Sequence, residues 1–148
     1  MWIDVNVNGN PEKWNVEPDD YLSESLRKNG YTSVKTSCHD GACGSCTVLI
    51  DGKPMLSCEM LTLRAQGKKI ETIEGLKEEA EKVVDYLTAL GGEGCGYCAP
   101  GYVIMVIALK REYPNADLEQ IKDYLNGNLC RCTGYVTRNE AAVSYLNN

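Results

Sequence analysis

Apolar and polar positions alternate from the start of the chain, so that Ile3, Val5 and Val7 share one face of a strand expected over 2–7. Asn8-Gly9 is a hairpin turn signal, and a second short strand is expected over 13–16. Asp19 or Asp20 is then placed to cap a helix of about two turns, with Leu22 and Leu26 four apart and Gly30 just past its end. Residues 47–50 and 53–56 flank Asp51-Gly52, a second hairpin signal, and a last strand is expected over 70–73. A small sheet with one helix laid across it is an α+β arrangement. The period then changes to that of helices. Val83, Val84, Leu87 and Leu90 recur at helical spacing over 78–90, and Pro100 suits the first turn of a helix reaching about 112. Asp117 with Gln120, and Thr137 with Glu140, both fit the capping box that opens a helix; these helices are expected over 118–125 and on to Leu146. Four helices in the second half suggest a bundle, with the boundary near Glu74-Gly75, dividing the chain into 1–75 and 76–148.

Composition narrows the function. Fifteen Lys plus Arg against 21 Asp plus Glu give a net charge of −6, which argues against a nucleic-acid partner, since neutralising phosphates needs a basic surface. The longest solid apolar run, 102–109, falls far short of the ~20 residues of a spanning helix. Residues 1–10 lack the basic-then-apolar pattern of a leader, so no membrane and a cytoplasmic location are the expectation. Eight cysteines remain to be explained, and in a reducing compartment they read as metal ligands or redox centres rather than bridges.

The cysteines fall into two sets. Cys38, Cys43, Cys46 and Cys58 are spaced C-x4-C-x2-C-x11-C, the plant-type ferredoxin pattern for a [2Fe–2S] cluster. Gly41 and Gly44 let the loop approach closely and turn amide N–H groups toward sulfur, which offsets the charge of a cluster. Zinc ligands usually come as two C-x2-4-C pairs, and one pair is missing here. A Rieske centre needs two histidines, and the chain has only His39, read as a solvated or supporting residue. Cys95, Cys98, Cys130 and Cys132 are spaced C-x2-C-x31-C-x-C between expected helix ends, and spacing alone leaves zinc and iron–sulfur equally open. Arg131, between two of these thiols, is either a charge that favours a reduced cluster or a solvated loop residue; Tyr97, Tyr102 and Tyr135 flank the set as contact surface or core.

The segments 37–48, 95–101 and 127–135, including Cys38-His39-Asp40-Gly41-Ala42-Cys43-Gly44-Ser45-Cys46, Cys95-Gly96-Tyr97-Cys98 and Cys130-Arg131-Cys132-Thr133-Gly134-Tyr135, resemble the iron–sulfur subunit of the molybdenum hydroxylases, the xanthine dehydrogenase and aldehyde oxidoreductase family. The resemblance spans essentially the whole chain. It implies a β-grasp, plant-type ferredoxin-like domain followed by a four-helix bundle, each with one [2Fe–2S] cluster. It implies molybdopterin in a large partner subunit and FAD in a medium one, within a hetero-oligomer. Cys95, Cys98, Cys130 and Cys132 would then hold the molybdenum-proximal cluster, and Cys38, Cys43, Cys46 and Cys58 the flavin-proximal one. Cys132 would accept a hydrogen bond from the pterin. Two positions depart from the family: Gly94 stands where it carries Gln, whose amide contacts the pterin, and Ala99 stands where it carries Thr.

The chain offers no dinucleotide glycine fingerprint and no separate catalytic cluster, so it is expected to move electrons and leave substrate chemistry to a partner chain. A free-standing two-cluster carrier and a zinc-stapled interaction module are the alternatives. Spacing does not say which two cysteines share an iron.

Overall fold

The structure is a computed structural model that describes all 148 residues. Strand β1 (Trp2–Val7) turns back through Asn8 and Gly9, both at positive φ, into β2 (Asn10–Asn15). Strands β3 (Thr47–Ile50) and β4 (Lys53–Leu56) form a second hairpin about Asp51 and Gly52, again both at positive φ, as two-residue turns of this hand require. Strand β5 (Lys69–Glu71) lies between the hairpins, parallel to β1 and antiparallel to β3, giving the order β2-β1-β5-β3-β4. The β2 strand begins directly after its turn, earlier than expected, and β5 ends before Ile73, which starts a short 3-10 turn.

Ile3, Val5, Val7, Val48, Ile50 and Ile70 are buried in one core with Leu22 and Leu26 of helix α1 (Leu22–Lys28). Helices α2 (Lys77–Ala89), α3 (Ala99–Glu112), α4 (Leu118–Leu125) and α5 (Val136–Leu146) build the other core around α3, eight of whose residues are buried. The cores meet at β3. Val48 and Ile50 belong to the first and Leu49 to the second, so the strand is buried on both faces and its run Thr47-Val48-Leu49-Ile50 shows no polar alternation.

Two expected helix starts are corrected. Neither Asp19 nor Asp20 caps α1: its N-cap is Tyr21, the Asp20 carboxylate instead accepts from the Glu17 N–H at 2.9 Å, and the Leu22 N–H is satisfied by the Met60 carbonyl at 2.8 Å. A tertiary partner has replaced the local cap. Thr137 does not cap α5 either. Tyr135, in the left-handed region at φ 74°, is the N-cap, and Thr137 already lies in the first turn. The Asp117–Gln120 capping box forms in full. No helix is long and apolar enough to cross a membrane.

Candidate metal centres

The first thiol set is assembled by a hairpin and a loop. Register places Thr47 opposite Leu56, so Cys46 and Cys58 stand just beyond the open end of the β3–β4 hairpin. The Ser57 hydroxyl clasps that end by donating to the Cys46 carbonyl at 2.7 Å. The eleven-residue spacer is therefore two four-residue strands and a two-residue turn, plus Ser57. Cys46 and Cys58 are buried, while Cys38 and Cys43 lie half-buried on the loop before β3. That loop turns through His39, Gly41 and Gly44, all at positive φ, and directs the N–H groups of Ala42 and Cys43 at the Cys38 sulfur, each at 3.3 Å. Burial pushes the Cys43 thiol up, but hydrogen bonds from Ser45 and Cys38 outweigh it and bring the value down to about 7. Burial, then the hydrogen bond and charge of Cys46, push Cys58 up to about 12. His39 is exposed.

The second set sits where helices end. Cys98 is the N-cap of α3, with Pro100 in its first turn, and the α4 C-terminus leads through Asn126 to Cys130 and Cys132. The Cys130 sulfur accepts from the Thr133 hydroxyl at 3.2 Å and the Cys132 N–H at 3.4 Å, while the Cys130 N–H donates to the Tyr135 hydroxyl at 3.0 Å. Burial raises the Cys130 thiol, and hydrogen bonding from Thr133, then from Cys132 and Cys98, brings it down to about 7. A backbone hydrogen bond from Tyr97, then one from Cys132, lower Cys95; burial raises Cys98. Gly94 lies against Cys132, 3.2 Å from its sulfur to the nearest point a Cβ would occupy, and that Cβ would overlap the Cys132 Cβ. A side chain at position 94 therefore needs a different path of this loop.

Neighbouring thiols act on one another's ionisation, Cys46 raising Cys58 and Cys130 raising Cys98. No three Cys, His, Asp or Glu side chains close around a single metal ion. Four thiols per set, with amide and hydroxyl donors already turned toward sulfur, fit a [2Fe–2S] cluster. A cavity of about 410 Å³ opens over the second set; Cys95, Cys98, Cys130 and Cys132 line it together with Cys43 of the first. The two sets are directly bonded: the Leu129 N–H donates to the Cys43 carbonyl at 2.9 Å, and the Asn128 amide to the Gly44 carbonyl at 3.2 Å. Arg131 is exposed at the cavity; Tyr97 and Tyr135 are exposed and Tyr102 is buried.

Sequence reasoning missed Asn128, Thr133 and above all Arg138, the one buried charged side chain. Arg138 occupies the apolar face of α5 with Ala141, Ala142 and Tyr145, and a cation at i in an i, i+3, i+4, i+7 stripe was the available signal.

Residues 5–72 match the model of a 2Fe-2S iron–sulfur cluster binding domain, and residues 72–143 that of a [2Fe-2S] binding domain. The chain is 41% identical over 138 residues to the xanthine dehydrogenase iron–sulfur-binding subunit of Escherichia coli O157:H7, covering 90% of this chain and 86% of that one. It is 39% identical over 146 residues to the nicotinate dehydrogenase small FeS subunit of Eubacterium barkeri, covering 97% and 92%. The crystal structure of quinoline 2-oxidoreductase from Pseudomonas putida 86 contains a chain that superposes with a TM-score of 0.92 at 37% identity, covering 99% of this chain and 94% of that one. The aldehyde oxidoreductase of Desulfovibrio gigas superposes at 0.89 with 32% identity, but there this fold makes up 17% of a longer chain. With both domain models matched in order and near-full-length small subunits among its relatives, the chain belongs to the iron–sulfur small-subunit family of the molybdenum hydroxylases.

Proposed function

We propose that this chain is the electron-relay subunit of a multi-subunit molybdenum hydroxylase, passing single electrons between a molybdopterin-bearing large subunit and an FAD-bearing medium subunit. In this reading residues 1–75 are a β-grasp ferredoxin-like domain and residues 76–148 a four-helix bundle domain, in a cytoplasmic hetero-oligomer. Cys38, Cys43, Cys46 and Cys58 hold the flavin-proximal [2Fe–2S] cluster, and Cys95, Cys98, Cys130 and Cys132 the molybdenum-proximal one. Each such cluster supplies a site that accepts and releases one electron.

The observation that carries the reading is the hydrogen bond from the Leu129 N–H to the Cys43 carbonyl. Leu129 is bonded to Cys130, so a ligand of one set communicates with a ligand of the other through a few covalent bonds and a single hydrogen bond. Electron tunnelling falls steeply with distance, and a chain whose two sets share one short bridge is suited to relay. The residues around it keep both ligand loops in place: Asn128 ties the second to the Gly44 carbonyl, and the Tyr97 hydroxyl donates to the Thr36 carbonyl at 2.7 Å. Cys95 and Cys132 are exposed, with Tyr97, Leu129, Tyr135 and Val136 forming an apolar rim around them. That open side suits a permanent partner, and it puts the Cys132 sulfur within reach of a pterin donor.

Purification of the native protein tests this. The chain is expected to co-elute in size exclusion with larger chains carrying molybdenum and flavin. Elution alone, with both clusters intact and exchanging electrons with soluble acceptors, would instead identify a free-standing carrier.

A further inference from the structure

Arg138 is 3% exposed, and its Nε and Nη1 have no hydrogen-bond partner. It joins none of the five salt bridges. A guanidinium cannot escape the cost of burial by losing its proton, and an unpaired charge in the interior is among the costliest arrangements a protein can hold. What surrounds it therefore matters. Its guanidinium carbon lies 4.9 Å from the ring centroid of Tyr102, whose hydroxyl donates to the Arg138 carbonyl at 2.7 Å. Tyr102 is one helical turn from Cys98, and its N–H donates to the Cys98 carbonyl at 3.3 Å. Tyr102 is thus a platform that holds the cation at the N-terminal end of α3, one turn from Cys98. No carboxylate is paired with it, and the anion this arrangement lacks is one that the second thiol set would provide.

We propose that Arg138 is the built-in counter-cation of the cluster held by Cys95, Cys98, Cys130 and Cys132, raising that cluster's reduction potential. Each electron accepted adds one negative charge to the irons and their ligands. The guanidinium is protonated before and after, so no proton accompanies the electron on its account, and the more negative state is the one it favours. The first set has no counterpart, since no other Lys, Arg or His of the chain is buried. One charge on one helix face thereby sets the two potentials apart.

The proposal rests on the two-cluster reading, and the test separates the two. In the purified holo-complex, redox titrations followed by electron paramagnetic resonance give both midpoint potentials, the first cluster serving as internal control. Arg138→Gln is expected to shift the reduction equilibrium of the second cluster at least tenfold toward the oxidised form, 59 mV for one electron, and to leave the first unchanged. Arg138→Lys, which keeps the charge, should restore most of the difference. Both clusters present in Arg138→Gln with the second potential within twofold of wild type would overturn the proposal. If Arg138→Gln fails to load the second cluster, Arg138→Lys decides: loading with a near-wild-type potential supports the role of charge, and failure to load shows a need for shape alone and overturns it. Absence of a second iron–sulfur signal in the wild-type complex would sink the two-cluster reading itself, an outcome distinct from these.

Discussion

The two thiol sets differ in how the fold holds them. The first is enclosed: Cys46 and Cys58 are buried at the end of a hairpin, and a glycine-rich loop supplies amides to Cys38. The second is open: Cys95 and Cys132 are exposed, its loops start and end helices, the Thr133 hydroxyl donates to Cys130, and a buried guanidinium sits on Tyr102, one turn of α3 from Cys98. An enclosed site is tuned by backbone geometry, whereas an open one depends on placed side chains and on whatever covers it. The contrast explains how one short chain can offer two redox sites with separate properties.

The largest expected effect separates the sites outright. Cys46→Ser should abolish the first cluster and Cys130→Ser the second, each lowering iron from about four to about two per chain, with only the corresponding paramagnetic signal lost. Loss of both from either substitution would show that the sets are not independent.

The seam between them comes next. A Cβ on Gly44 would overlap the Gly127 carbonyl oxygen, and Gly44 has φ +74°. Backbone strain and overlap together predict that Gly44→Ala costs about 2–5 kcal/mol in chemical denaturation. Gly101 faces the Gly44 carbonyl from α3 just as closely but has no positive φ, so Gly101→Ala should cost less, about 1–3 kcal/mol. Equal costs would mean that overlap alone matters.

Glu74 sharpens the comparison from the covalent side of the seam. Its half-buried carboxylate accepts from the Ser33 N–H at 3.0 Å and from the Ser33 and Thr72 hydroxyls. Burial raises its pKa, but these bonds win and hold it below the ordinary carboxylate value. A depressed folded pKa adds stability that is present above the unfolded value and lost as pH falls through the folded one. Glu74→Gln should therefore cost about 1–2 kcal/mol at pH 7 and progressively less below about pH 4, measured by urea denaturation across pH. A cost independent of pH would contradict the assigned role of the charge.

The smallest effect concerns the helix that feeds Cys130. Asp117→Ala removes the capping box of α4 and should cost about 1 kcal/mol in thermal denaturation, without disturbing the first cluster's spectrum.

Much of this was legible in the chain because the decisive signals are local. Asn8-Gly9 and Asp51-Gly52 dictate turns whose dihedrals few other pairs accept, and the β3 and β4 boundaries follow from the second. The spacer from Cys46 to Cys58 is that hairpin's length. What failed depends on distant partners. Nothing near Tyr21 announces that Met60 will satisfy the start of α1, and nothing near Thr137 shows that Tyr135 will adopt a left-handed conformation. The Leu129–Cys43 bridge and the seat of Arg138 likewise arise only when α3, α4 and α5 meet one another and the loop before β3.

Iron, zinc and acid-labile sulfide analysis of the native protein, joined to paramagnetic resonance on stepwise reduction, tests the central claim most directly. The expected result is about four irons and four sulfides per chain with two distinguishable signals. Stoichiometric zinc without sulfide at either set would contradict it.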